Sequence, residues 1–205
     1  MTRQEIEFSL QEIYIGLLGR AADAAGLDYW ADEVEGGLIT LEQVRTNIVA
    51  DQPEYEDVFG GLTRSQTVAE LYNNLFGRDP EPEGLTYWVS GGGVNVPVDL
   101  LVFALSDGAL GPDRLTLDNK VTAAQYFTAN NDIVVADPKN LPADFKAAAA
   151  AVIADVDSTS ASVDAAKAVV DAGSYFGETF LLTASAPTVT EGNVGTKALV
   201  FTLTL

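Results

Sequence analysis

The side chains that could carry chemistry in this chain are carboxylates, together with arginines and tyrosine–tryptophan pairs that occur twice. The 205 residues contain no cysteine and no histidine, which excludes disulfides, Cys/His zinc sites, thiol nucleophiles and histidine-based triads. The remaining acid/base groups are carboxylates, and no pair of them stands in a context that marks it as buried or desolvated. The sequence therefore predicts that the chain is not an enzyme.

Two short stretches carry the candidate binding residues. Each contains a tyrosine followed by a tryptophan, and helical spacing makes the tryptophans core anchors and the tyrosines the surface members that could stack on a sugar. Each also contains an arginine just after a helix end, which could hold an anionic glycan but more often binds the last carbonyls or pairs with an acid such as Asp23 or Glu81. The candidate contacts to a glycan or a partner are Tyr29, Tyr87, Arg20 and Arg78.

The acidic segment at 79–84 offers a second kind of site. It places Asp79, Glu81 and Glu83 at positions 1, 3 and 5 of an EF-hand-like loop, and calcium prefers such oxygen ligands. Position 12 is Ser90, however, where a bidentate glutamate is needed. The spacing therefore favours a solvated turn over a calcium site.

The charge balance limits the partners. Lysine and arginine number 11 against 30 acids, which gives a net charge of −19, and such a charge repels nucleic acids and anionic lipid surfaces. The longest apolar run, 147–154, is far shorter than the roughly 20 residues that span a bilayer. We therefore expect no nucleic-acid partner and no transmembrane segment, and the early acids Glu5, Glu7 and Glu12 argue against a cleavable secretion signal.

An internal repeat organises the first half of the chain. Residues 12–30 align without gaps on residues 70–88, 58 positions later, and nine of the 19 aligned positions are identical. Such a duplication indicates a repeat architecture. The identical pairs are Glu12/Glu70, Tyr14/Tyr72, Leu17/Leu75, Gly19/Gly77, Arg20/Arg78, Gly26/Gly84, Leu27/Leu85, Tyr29/Tyr87 and Trp30/Trp88.

Each copy begins with the signals of an amphipathic helix. Thr2 with Glu5, and Thr63 with Gln66, form capping boxes before an apolar face. Gly19 and its equivalent Gly77 suit a left-handed helix end. A short polar loop and a second helix carrying the tryptophan are expected to follow, so that each copy contains a helical hairpin.

The rest of the chain changes character twice. The tract up to Gly173 has helical periodicity with few large side chains, whereas the last residues alternate as in a half-buried strand. The prediction is a mainly α fold: two helical repeats, a further helical tract, and a C-terminal β segment that belongs to an incomplete or intermolecular sheet. The predicted units are helical repeat 1 (1–62, "copy one"), helical repeat 2 (63–135, "copy two"), an alanine-rich helical tract (136–174) and the β segment (175–205).

The duplicated element resembles a helical family of unknown function found in bacterial S-layer and haemolysin-type (RTX) secreted proteins, and is loosely similar to phycobilisome linker domains. The segment 187–205 resembles the opening strands of a Calx-beta domain, a calcium-binding β-sandwich. Of that family's calcium ligands only Glu191 has a matching position, so calcium is expected mainly in a β-domain of which this is the start. The resemblance also implies export by type I secretion to the cell surface.

Three functions remain open at this stage. The first is a non-catalytic N-terminal module of an S-layer protein or adhesin, which anchors it to envelope glycan or lipopolysaccharide or assembles it with neighbouring copies. The second is a polymerising subunit whose C-terminal strand completes a sheet in the next copy. The third is an accessory domain of an exported enzyme whose catalytic part lies beyond residue 205.

Overall fold

The computed structural model describes residues 1–131, 133, 135 and 140–175, and this part of the chain is helical without a strand. The predicted mainly α fold is confirmed there. The predicted β segment, apart from its first residue Tyr175, lies outside the described residues. The helices are α1 (Arg3–Leu18), α2 (Ala24–Glu35), α3 (Leu41–Asp51), α4 (Pro53–Phe59), α5 (Arg64–Phe76), α6 (Pro82–Ser90), α7 (Leu101–Gly108), α8 (Pro112–Asn130), α9 (Ala143–Ala154) and α10 (Ser160–Ala172).

The local signals place the helix ends as predicted. Both capping boxes form at the starts of α1 and α5, and a third forms at Thr40 before α3. Gly19 and Gly77 end α1 and α5 with positive φ angles of 62° and 67°, a conformation that glycine adopts without steric cost.

The two copies share one core through α1 and α5. Gly16 of α1 makes the close approach: a Cβ atom there would lie 2.5 Å from Val102 Cγ2 and 3.2 Å from Leu75 Cδ2, both in copy two. Asn74, the residue aligned with Gly16, donates a hydrogen bond to the Gly16 carbonyl at 3.1 Å. The equivalent positions of the repeat therefore touch each other across the interface.

Ion pairs also cross between the copies. Arg45 of α3 donates to Asp99 Oδ2 at 2.8 Å, and Arg114 of α8 donates to Glu12 Oε1 of α1 at 2.7 Å. Burial raises the pKa of Glu12 although Arg114 opposes the shift, because desolvation disfavours the charged carboxylate.

The alanine-rich tract packs on the end of α8 and reaches back to copy one. The ring of Phe145 in α9 lies 5.6 Å from that of Phe127 in α8, centroid to centroid. The Ala149 carbonyl of α9 accepts a hydrogen bond from the Ala21 N–H at 3.0 Å, in the loop after α1. Alanine side chains permit this close packing of backbones.

The loop between α1 and α2, expected from the sequence as a short polar loop, is buried. Ala21 and Ala22 have no exposed surface. The Ala22 N–H donates to Gln11 Oε1, the Gln11 amide donates to the Thr128 hydroxyl, and that hydroxyl donates to the Ala22 carbonyl. This network satisfies backbone groups that would otherwise be buried without partners.

Candidate binding pocket

The residues shared by the two copies build one cluster twice. In copy one the Arg20 guanidinium lies 5.4 Å from the Tyr14 ring centroid and donates to the Ala21 carbonyl at 2.9 Å. In copy two Arg78 lies 5.3 Å from the Tyr72 ring centroid and donates to the Asp79 carbonyl at 2.9 Å. The tyrosine and the arginine are therefore the same in both copies because they form a cation–π contact at the helix end.

The shared glycines complete the cluster. A Cβ atom on Gly26 would stand 2.8 Å from the Tyr14 hydroxyl and 2.9 Å from an Asp23 oxygen, and one on Gly84 would stand 3.3 Å from the Tyr72 hydroxyl. Neither glycine has a positive φ. The close approach of the tyrosine therefore requires glycine in copy one, whereas the wider spacing in copy two leaves room for a Cβ after a small shift.

Each arginine also binds a carboxylate that follows a proline at a helix start. Arg20 donates to both oxygens of Glu54 at 2.6 and 3.0 Å, and Arg78 donates to both oxygens of Asp113 at 2.8 and 2.7 Å. The predicted nearer acids contribute as well, Glu81 at 2.8 Å from Arg78 and Asp23 at 4.0 Å from Arg20.

The copies differ in how far this cluster is covered. The Arg20 side chain is 4% exposed and the Arg78 side chain 34%. In copy one α9 stands beside the cluster, and Lys146 of α9 places its ammonium 3.4 Å from Glu54 Oε1. The covering helix turns the copy-one cluster into the floor of a cavity.

That cavity, the copy-one pocket, has a volume of about 500 Å³, within the range of roughly 300–1,000 Å³ of small-ligand sites. Its floor holds Tyr14, Arg20 and Asp23. One wall comes from α2, a second from the start of α4 and a third from the start of α9. The lining residues of the walls are Ala25, Gly26, Tyr29, Trp30, Gln52, Pro53, Glu54, Asn140, Leu141 and Lys146.

The aromatic pair stands at the edge of the pocket. Trp30 is half-buried against the core. Tyr29 meets Trp30 edge to face at a centroid distance of 4.8 Å and is 55% exposed. The half-buried Trp30 and the exposed Tyr29 ring together form an apolar surface next to polar groups.

The charged side chains of the pocket form ion pairs with one another. Burial alone would raise the pKa of Glu54, but the hydrogen bonds and charge of Arg20, with Lys146 beside it, bring the pKa below its ordinary value. Asp23 caps the start of α2 by accepting from the Gly26 N–H at 2.7 Å. Burial raises the pKa of Tyr14 above its ordinary value, so its hydroxyl is neutral at physiological pH.

The four predicted contact residues divide between the copies. Tyr29 and Arg20 line the copy-one pocket. Tyr87, 50% exposed, and Arg78 occupy the equivalent places in copy two, so the structure does not bring all four together. Arg20 is committed to Glu54, which leaves Tyr29 as the more accessible of the two pocket residues.

The two positions considered for a metal, the 79–84 loop and Glu191, have separate outcomes. In the 79–84 loop Glu81 is occupied by Arg78, and Asp79 accepts a hydrogen bond from Asn73 at 3.3 Å. Among residues 1–131, 133, 135 and 140–175, no group of three or more acids is arranged to hold a metal ion. Glu191 lies outside the described residues. No helix of the described part is long and apolar enough to cross a membrane.

Sequence reasoning missed Glu54, Gln52 and Lys146. Glu54 had a detectable signal, since Pro53–Glu54 and Pro112–Asp113 occupy matching places after their arginines, 34 and 35 residues later. Lys146 had none, because α9 is not part of the repeat.

Comparison with known families gives a partial match. Residues 7–52 match the family model described as a domain of unknown function, DUF4214, which confirms the resemblance to a helical family of unknown function over α1 to α3. No curated protein and no solved structure matches the chain.

Proposed function

We propose that this chain is a non-catalytic module of an extracellular bacterial surface protein, of S-layer or adhesin type, and that it anchors that protein to a glycan of the cell envelope. The observation that carries the proposal is the copy-one pocket, where the exposed Tyr29 ring adjoins polar side chains in a cavity of about 500 Å³. Sugar recognition needs this combination, because a pyranose offers an apolar face and a ring of hydroxyls.

The state of the pocket carboxylates supports binding over catalysis. Glu54 is paired with Arg20 and Lys146, and Asp23 caps a helix. A general acid requires a carboxyl group that holds its proton near neutral pH, whereas the pKa of Glu54 is lowered. Both carboxylates thus serve to position the arginine and the helix.

The cellular setting is proposed from the resemblances. A helical repeat of the S-layer and RTX type, followed by the start of a Calx-beta-like segment, fits type I secretion and a place on the cell surface. We assign calcium to the downstream β-domain, with Glu191 as one ligand. Chelation should then leave the melting temperature of residues 1–175 unchanged while lowering that of a chain extended through the complete β-domain.

Retention on envelopes tests the proposal. The full chain is incubated with isolated bacterial envelopes and with purified lipopolysaccharide, with calcium and with chelator, and the bound fraction is measured after sedimentation. We expect retention that falls about tenfold in Tyr29→Ala, since stacking on an aromatic ring contributes on the order of 1.4 kcal/mol. If neither envelopes nor lipopolysaccharide retain the chain, with calcium or with chelator, the proposal is wrong.

A further inference from the structure

We propose that the copy-one pocket selects an uncharged glycan segment and that copy two, despite its identical tyrosine, tryptophan and arginine, does not bind it. This inference rests on the proposed glycan-binding function and specifies the ligand class and the copy. Three features of the pocket lead to it: its charge balance, the position of its aromatic ring, and the helix that forms its third wall.

The charge balance opposes a charged ligand group. The pocket contains two cations, Arg20 and Lys146, and two anions, Asp23 and Glu54. Arg20 makes two hydrogen bonds to Glu54 and Lys146 lies 3.4 Å from the same carboxylate. A uronate or phosphate would have to break the buried Arg20–Glu54 pair or compete with Glu54 for Lys146, which is 38% exposed, in a chain whose net charge of −19 already opposes an anion.

An ammonium or calcium ion meets the converse difficulty. Glu54 is held by Arg20, and Asp23 accepts the Gly26 N–H at 2.7 Å, so neither carboxylate is available without loss of a structural contact. Lys146 is 38% exposed but lies 3.4 Å from Glu54; the other groups open toward a ligand are neutral, namely the Tyr29 ring and the amides of Gln52 and Asn140. These groups match hydroxyls and the apolar face of a sugar ring.

The third wall explains why one copy binds and the other does not. Asn140, Leu141 and Lys146 come from the start of α9 and its approach, and α9 is held against copy one by the Ala21–Ala149 hydrogen bond of 3.0 Å. In copy two the equivalent arginine is 34% exposed, so its surroundings are open to water. A stacking ring without opposing polar walls gives weak, unselective contact.

The test uses the full chain and a panel of bacterial oligosaccharides, some neutral and some bearing uronate or phosphate. Binding is measured by calorimetry at 50 and 500 mM salt, for wild type, Tyr29→Ala and the matched control Tyr87→Ala, with folding of each variant checked by circular dichroism. Neutral oligosaccharides should bind with an affinity that salt changes by less than about twofold. Tyr29→Ala should weaken them about tenfold, and Tyr87→Ala should leave them unchanged.

A Lys146→Gln variant separates neutral from anionic recognition. It retains a hydrogen-bond donor and removes the charge, so neutral binding should change by less than about twofold, whereas recognition of an anion would be lost with the cation. Preference for the acidic oligosaccharides, or equal loss in Tyr29→Ala and Tyr87→Ala, would overturn the inference. Envelope retention that persists while no neutral oligosaccharide binds would also overturn it and leave the proposed function standing; loss of envelope retention itself would refute the proposed function instead.

Discussion

At the scale of single residues, the two arginines of the repeat make the same contacts at different depths. Arg20 is 4% exposed and Glu54 15%, while Arg78 is 34% exposed and Asp113 23%. Removing one partner of a buried pair leaves an uncompensated charge, whereas water compensates an exposed one. The same substitution should therefore have unequal effects in the two copies.

We expect Arg20→Ala to lower the free energy of unfolding by about 3 kcal/mol and Arg78→Ala by about 1 kcal/mol. Urea denaturation of both variants and wild type measures the difference, with equal m-values as the check that the unfolded states are comparable. Equal losses would show that burial by α9 does not strengthen the copy-one pair.

The glycine beside the tyrosine supplies a second residue-scale prediction. Alanine is ordinarily the better helix residue by about 1 kcal/mol, but a Cβ on Gly26 would meet the Tyr14 hydroxyl at 2.8 Å. Gly26→Ala should therefore destabilise the chain by about 1–3 kcal/mol. The matched change Gly84→Ala, with its nearest atom at 3.3 Å, should be close to neutral in the same thermal melt; a stabilised Gly26→Ala would contradict this account.

At the scale of elements, Lys120 of α8 caps the C-terminal end of α5. Its ammonium is buried and donates to the Asn74 carbonyl at 2.8 Å, one of the last carbonyls of α5, where a positive charge is favourable. Burial nevertheless lowers the pKa of Lys120 to about 8, because desolvation disfavours the charged form.

This shift predicts a rise of stability with pH. Between about pH 8 and about pH 10 the unfolded chain keeps the Lys120 proton while the folded chain releases it, so the free energy of unfolding should rise by about 2 kcal/mol. Above about pH 10 the ionisation of tyrosine opposes the trend, since burial raises the pKa of Tyr14. Urea midpoints across this range should show the rise in wild type and in Lys167→Met but not in Lys120→Met. A rise that survives in Lys120→Met would assign it to another group.

Elements with local signals could be predicted from the sequence, and those fixed by distant contacts could not. The helix starts at Thr2 and Thr63 and the ends at Gly19 and Gly77 follow from residues a few positions apart. Burial of the loop at Ala21 depends instead on α9, more than 120 residues later. In the same way the tyrosine at the pocket edge was predictable from helical spacing, whereas its opposing wall was not.

At the scale of the whole molecule, the duplication folds as one unit because its two copies share a core. Gly16 lies against Leu75 and Val102 of copy two, and Arg114 joins α8 to Glu12 of α1. A core that belongs to both copies cannot be lost from one alone, which is the condition for a single cooperative transition.

The two tryptophans of the chain allow this cooperativity to be measured, since each copy contains one. In Trp88→Phe the fluorescence reports copy one, and in Trp30→Phe it reports copy two, so each urea curve follows a single copy. Within each background we expect the fluorescence midpoint to coincide with the midpoint by circular dichroism.

The Gly16→Ala variant tests whether the shared core couples the copies, because its Cβ would meet Val102 Cγ2 at 2.5 Å. It should move both urea midpoints down together, which corresponds to a loss of about 1–3 kcal/mol in the free energy of unfolding. The control Gly108→Ala, with nothing within 4 Å of its Cβ, should lower neither. A Gly16→Ala shift confined to the copy-one probe would mean that the copies unfold independently, so that the shared core does not couple them.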